Sequence, residues 1–144
     1  MPHEVLDVSE NDFSAASAGP ALTALSRRCH GLRVLDVSYC SLCASSFSAL
    51  VEATWPALNS LTADFNEVEF GAGGGGLSIR ENPEELACGD DAFAGFPELE
   101  ELYLTDVPRY AYGAELLAWR LWLSLRTLRL RNARLEDAGA AELA

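Results

Sequence analysis

One apolar grid recurs five times along the chain, and no single copy of it can bury its own leucines. With x for any residue it reads LxxLxLxx(N/C)xL, filled most completely by Leu32, Leu35, Val37, Cys40 and Leu42. The other copies carry Leu6, Val8, Asn11 and Phe13; Leu58, Leu61, Ala63, Asn66 and Val68; Leu99, Leu102 and Leu104; and Leu125, Leu128, Leu130 and Leu135. His3 stands where the first copy would have its leading leucine. Copies of this kind must stack to cover one another, and a stack offers a broad surface rather than a pocket.

Within each copy the fourth and sixth positions are apolar and the fifth and seventh polar, the period of a short strand buried on one face. Apolar residues spaced three and four apart then predict helices, over 15–29 with Ala18, Leu22 and Leu25 and over 47–55 with Phe47, Leu50 and Val51. At the ninth position the chain leaves the strand, so an inward side chain there can satisfy backbone groups of neighbouring copies. Asn11, Cys40 and Asn66 occupy that position. The fourth copy has Val107 before Pro108 and the fifth has Ala133, which predicts a weaker ladder toward the C-terminus.

The pattern resembles the leucine-rich repeat family. The last unit, LRTLRLRNARLEDAGAAELA, is similar to the ribonuclease-inhibitor-like subclass, with Gly139 and Leu143 at the matching positions. The resemblance implies an α/β fold: one solenoid domain over 1–144 of about five repeats, with a curved parallel sheet on the concave side and helices on the convex side. It implies little about function, because the family binds proteins of many kinds.

Composition narrows the classes of partner. Hydrophobic residues make up 49% of 144 residues without a long apolar run, which fits one soluble globular domain with a real core. The longest apolar stretch, 116–125, contains Arg120 and falls short of the roughly 20 residues of a membrane span. The acidic N-terminal segment has no apolar secretory core, so a cytoplasmic location is expected, with a nuclear or axonemal one left open. A net charge of -12 argues against nucleic acid, whose recognition rests on neutralising phosphates. Nine carboxylates and no basic residue lie in 81–106. That run reads as a solvated rim or as a docking surface for a basic partner, and the Asp90 and Asp91 pair lacks the ligand spacing of a calcium loop.

The leading grid positions are spaced 29, 26, 41 and 26 residues apart, so the third unit carries an insert, Gly-rich and acidic, at about 71–96. No Lys and Ser or Thr follow the glycines, which excludes a phosphate cradle of the P-loop kind. The insert is either an excursion at the edge of the stack or a loop that folds over the sheet or onto a partner. Of the four cysteines, Cys40 and Cys43 form a CxxC, yet no second pair completes a zinc site, and reduced structural thiols are expected. No metal or cofactor is expected.

Stacking would align the fifth positions as Asp7, Asp36, Thr62, Tyr103 and Arg129 and the seventh as Ser9, Ser38, Asp64, Thr105 and Arg131. Charge on that face then runs from acidic to basic, while Tyr39 and Phe65 fall side by side at the eighth position, next to Tyr103. Large aromatic side chains flanked by charges suit an interaction centre. Asp36, Tyr39, Asp64, Phe65, Tyr103, Arg129 and Arg131 are therefore the candidate partner-binding residues. The alternative is that the aromatics only cover a short sheet. A second apolar patch, with Leu116, Leu117, Trp119, Leu121, Trp122 and Leu123, is expected to pack on neighbouring helices and the insert or to make a subunit contact.

No catalytic constellation stands out. His30 directly follows Cys29, so on a helix their side chains diverge by about 100 degrees, and no histidine flanks Ser9 or Ser38. Asp7 and Asp36 would lie about 5 Å apart on adjacent strands, an open pair better read as solvated. The expectation is a non-catalytic module that binds a protein partner through its concave sheet. The rival is a structural subunit or a fragment of a larger assembly, receptor or adaptor, since neither end carries an evident capping unit.

Overall fold

A computed structural model describes residues 4–15, 17–42, 44–66, 93–105 and 122–131. Five three-residue strands, β1 (Val5–Asp7), β2 (Val34–Asp36), β3 (Ser60–Thr62), β4 (Glu101–Tyr103) and β5 (Thr127–Arg129), form one parallel sheet in the order β1-β2-β3-β4-β5. Each strand is the third to fifth position of one grid copy. Leu6, Leu35, Leu61, Leu102 and Leu128 stand in one row across the sheet, and Asp7, Asp36, Thr62, Tyr103 and Arg129 in another. Two helices, α1 (Ala18–Arg28) and α2 (Ala44–Glu52), complete a mixed α/β fold.

One rule joins every strand to the next. The carbonyl of the second grid residue accepts two successive N–H groups: Glu4 from Arg33 and Val34, Arg33 from Asn59 and Ser60, Asn59 from Glu100 and Glu101, and Glu100 from Arg126 and Thr127. Beyond the strands, the sixth-position N–H of Val8, Val37, Ala63 and Leu104 donates to the fifth-position carbonyl of the following strand. A recurring sequence thus produces a recurring backbone, because each copy meets its neighbour with the same groups.

Inward leucines build the core. Leu32, Leu58 and Leu99 at the first position, Leu35, Leu61 and Leu102 at the fourth, and Val37, Ala63 and Leu104 at the sixth are buried in one cluster with Leu22 of α1 and Phe47, Leu50 and Val51 of α2. Burying a leucine side chain contributes about 1.5–3 kcal/mol. Leu128 departs from the row: it is 36% exposed whereas Leu35, Leu61 and Leu102 are fully covered. Among the described residues β5 is one edge of the sheet, so Leu128 has a neighbouring strand on one side only.

The helices run over 18–28 and 44–52 rather than the expected 15–29 and 47–55. α1 buries Ala18, Leu22 and Ser26, spaced by four on one face, and Pro20 falls in its first turn, where no intrahelical N–H bond is lost. Arg27 and Arg28 lie at its negative end. α2 stops at Glu52 rather than Trp55, because Pro56 disfavours helical geometry in the residue before it. The two helices pack side by side.

Residues 93–96, the last of the expected excursion, belong to the core. Phe93 and Phe96 are buried; the Phe93 N–H donates to the Val51 carbonyl at 2.8 Å, and the Trp55 N–H donates to the Gly95 carbonyl at 2.7 Å. This contact requires glycine. A methyl group on Gly95 would overlap the Ala53 carbonyl oxygen and come within 2.7 Å of the Thr54 Cα, both of them backbone. Gly95→Ala is therefore expected to cost about 1–3 kcal/mol, read as a lowered urea midpoint, and an unchanged midpoint would mean that this close approach is absent. Trp122, half-buried, packs on Phe93 with ring centroids 5.4 Å apart, a contact with the insert, whereas Leu123 of the same apolar stretch is 83% exposed rather than packed. The remaining insert residues 71–92, the apolar stretch 116–121, Val107, Ala133 and the Gly139 and Leu143 positions lie outside the described residues. Among the described residues, no helix is long and apolar enough to cross a membrane.

Candidate functional site

The outward rows meet at the turns that follow the strands, and the turns after β1, β2 and β3 are held by three kinds of restraint. In the first two copies the strand's last carboxylate folds back on the serine two residues later. Asp7 accepts the Ser9 N–H and hydroxyl at 2.9 and 2.6 Å, and Asp36 accepts the Ser38 N–H at 2.9 Å. The Ser9 hydroxyl and then its N–H hold the Asp7 carboxyl below the usual carboxylate range. Asp64, in the third copy, reaches across instead and accepts the Thr105 N–H at 2.6 Å, while its own N–H donates to the Ser38 hydroxyl at 3.2 Å.

The ninth-position side chains supply the second restraint. Asn66 is fully buried; its amide donates to the carbonyls of Val37 and Ala63 at 2.9 and 3.0 Å, and its oxygen accepts the N–H groups of Cys40 and Leu42 at 3.0 and 3.2 Å. The Cys40 thiol donates to the Val8 carbonyl at 3.1 Å in the same sense, one copy earlier. Burial pushes that thiol above its ordinary pKa, as suits a structural S–H donor rather than a nucleophile. The Asn11 side chain bonds within its own turn, donating to Val8 and Ser9, and the residue is exposed.

The third restraint acts at the eighth position. Glu10, Tyr39 and Phe65 all adopt positive φ, at 59°, 53° and 55°, a left-handed geometry that costs a residue with a side chain roughly 1–2 kcal/mol. Their own N–H groups donate to the seventh-position carbonyls of the following copies, Ser38, Asp64 and Thr105, at 2.9, 3.0 and 2.7 Å. Bonded on both flanks, the turns stay in this form and aim the eighth side chain away from the core.

That geometry brings Tyr39 and Phe65 together as expected. Their rings stack with centroids 4.6 Å apart and planes within 11°, and they remain 54% and 40% exposed. Tyr103 belongs to a different group: its ring contact is with Arg129, whose guanidinium carbon lies 5.3 Å from the ring centre. The reason is register, since Tyr103 is a fifth-position residue paired with Thr62 and Arg129, one turn away from the eighth-position row. No family model matches this chain, and no curated protein matches it significantly. Chemistry must therefore be read from the face itself.

Of the seven candidate residues, Tyr39 and Phe65 form one cluster and Tyr103 with Arg129 a second. Arg131 is exposed at the fifth turn. Asp36 and Asp64 are half-buried and each already holds a turn N–H, so each offers only its remaining acceptor capacity to a partner. Glu10 was not singled out in the sequence, although its eighth position places it in line with Tyr39 and Phe65. Among the described residues, no group of three or more His, Cys, Asp or Glu side chains is placed to hold a metal ion.

Proposed function

We propose that the chain is a leucine-rich repeat solenoid whose concave sheet binds a protein partner without catalysis, with Tyr39 and Phe65 as the anchors. The recurrence of one set of strand-to-strand bonds at four successive junctions supports the repeat assignment. The single observation that carries the binding role is the stacked, water-exposed aromatic pair held on strained left-handed turns. A few large aromatic side chains at the centre of a contact typically carry most of its binding energy.

A place in a larger assembly is the second reading. Leu123, 83% exposed, and Leu128, 36% exposed, lie in or just before β5, an edge of the sheet among the described residues, and suit a neighbouring subunit. The double substitution Tyr39→Ala and Phe65→Ala separates the two. It is expected to reduce capture of partners from source-cell lysate by about ten-fold or more, with the circular dichroism spectrum unchanged. Capture that is indifferent to the pair but lost with Leu123→Asp and Leu128→Asp would favour the assembly reading.

A further inference from the structure

We infer that the segment received by this face is basic, and that it lays a lysine or arginine side chain on the Tyr39–Phe65 stack with its charge among Asp7, Glu10, Asp36 and Asp64. The inference rests on the proposed sheet-face interaction and names the chemistry of the partner.

The two ends of the face differ in what they lack. At β4 and β5 the chain supplies its own cation to its own ring, Arg129 over Tyr103. At β1 to β3 it supplies two rings whose aromatic contact is with each other, and carboxylates at Asp7, Glu10, Asp36 and Asp64. From the third to the eighth grid position of the first three copies there is no Lys or Arg. The nearest basic residue in those copies, Arg33, is engaged by the Asn59 side-chain oxygen at 2.9 Å. A cation near an aromatic face is attracted by the ring quadrupole, and the carboxylates add a field of the same preference. Adjacent strands are about 4.8 Å apart, so acidic side chains on three successive copies present a row that an extended basic segment can follow.

The face is also chemically easy to interrogate, because all ten basic residues of the chain are arginines and none is a lysine. Carbodiimide coupling to an N-acetylated (Gly-Lys)4 peptide joins the peptide's amines to the chain's carboxylates with no competing lysine on the chain. Attachment is expected at Asp7, Glu10, Asp36 or Asp64. Attachment chiefly within the acidic stretch 81–106 would overturn the inference.

In parallel, fluorescence anisotropy with labelled (Gly-Arg)4 at near-physiological salt is expected to show binding weakened about ten-fold by Tyr39→Ala and kept by Tyr39→Phe. Neither change alters the net charge, so an unspecific attraction to an acidic chain would not distinguish them. Tyr39→Asn, which tolerates positive φ, guards against a folding defect and is expected to match the alanine variant. Equal binding by wild type and both ring-less variants, or preference for (Gly-Glu)4, overturns the basic-segment inference alone. The interaction reading itself falls only if partner capture ignores the paired removal of Tyr39 and Phe65.

Discussion

Asn66→Ala is expected to lower the stability of the chain by roughly 3–5 kcal/mol, a large share of the usual total of about 5–15 kcal/mol. The substitution orphans four backbone groups at once: the N–H groups of Cys40 and Leu42 and the carbonyls of Val37 and Ala63. A buried polar group left without a partner costs about 1–3 kcal/mol, and the sum is tempered because the turns relax. Three of the four groups belong to the second and third copies' junction, so the loss is structural rather than local. Asn66→Cys is the informative companion. Cys40 shows that a thiol is accepted at the ninth position, and a thiol donates as Cys40 does to Val8, but it cannot restore both acceptor bonds. An intermediate loss of about 1–3 kcal/mol is expected there. Urea unfolding followed by far-ultraviolet circular dichroism measures both, and a cost below about 1 kcal/mol for the alanine variant would show that the side-chain ladder does not hold these copies together.

Trp55→Ala is expected to be of similar severity, about 3–5 kcal/mol. The ring is 1% exposed, lies against Phe96 with centroids 6.5 Å apart, and fills the space beneath the end of α2. Its indole N–H donates to the Leu50 carbonyl at 3.0 Å. Leu50 is in the last turn of α2, where a carbonyl has no intrahelical partner, so the indole both packs the core and finishes the helix. Trp55→Phe separates these roles: most of the apolar volume stays, the Leu50 carbonyl loses its donor, and a cost of about 1–3 kcal/mol is expected. Hydrogen exchange at the Phe93 N–H, bonded to Val51, should accelerate in the alanine variant. If protection there is unchanged, residues 93–96 are held by something other than Trp55.

The grid made the sheet legible because its period of two is enforced by burial: Leu35, Leu61 and Leu102 go inside, and Asp36, Thr62 and Tyr103 then have one side left to occupy. The same count placed Tyr39 beside Phe65. It did not separate Tyr103 from them, because a residue's position in the grid says which face it takes and not how far the turn carries the chain between positions five and eight. Nor did it show that Asp36 and Asp64 hold turn N–H groups. Periodicity locates a carboxylate, whereas the donor it finds depends on turn dihedrals that a pattern of apolar residues does not encode. The left-handed turns were hidden for a related reason: positive φ is usually announced by glycine or asparagine, and here it falls on Glu10, Tyr39 and Phe65. Phe93 and Phe96 fall at the end of a glycine-rich stretch, where a single spacing of three carries too little periodicity to predict a packed segment. Leu128 followed the pattern and still came out exposed, because a grid states what a leucine faces only when both neighbours are present.

Strand order in this sheet is the same as order along the chain, and that has a consequence for how the molecule comes into being. Each strand pairs with the one synthesised before it, and the first three need nothing later than Asn66 to close the hydrogen bonds between them. Growth at the ribosome can therefore lay the sheet down one strip at a time from the N-terminal side. The aromatic stack, made wholly from the second and third copies, would be assembled before the arginines of the fifth have left the exit tunnel.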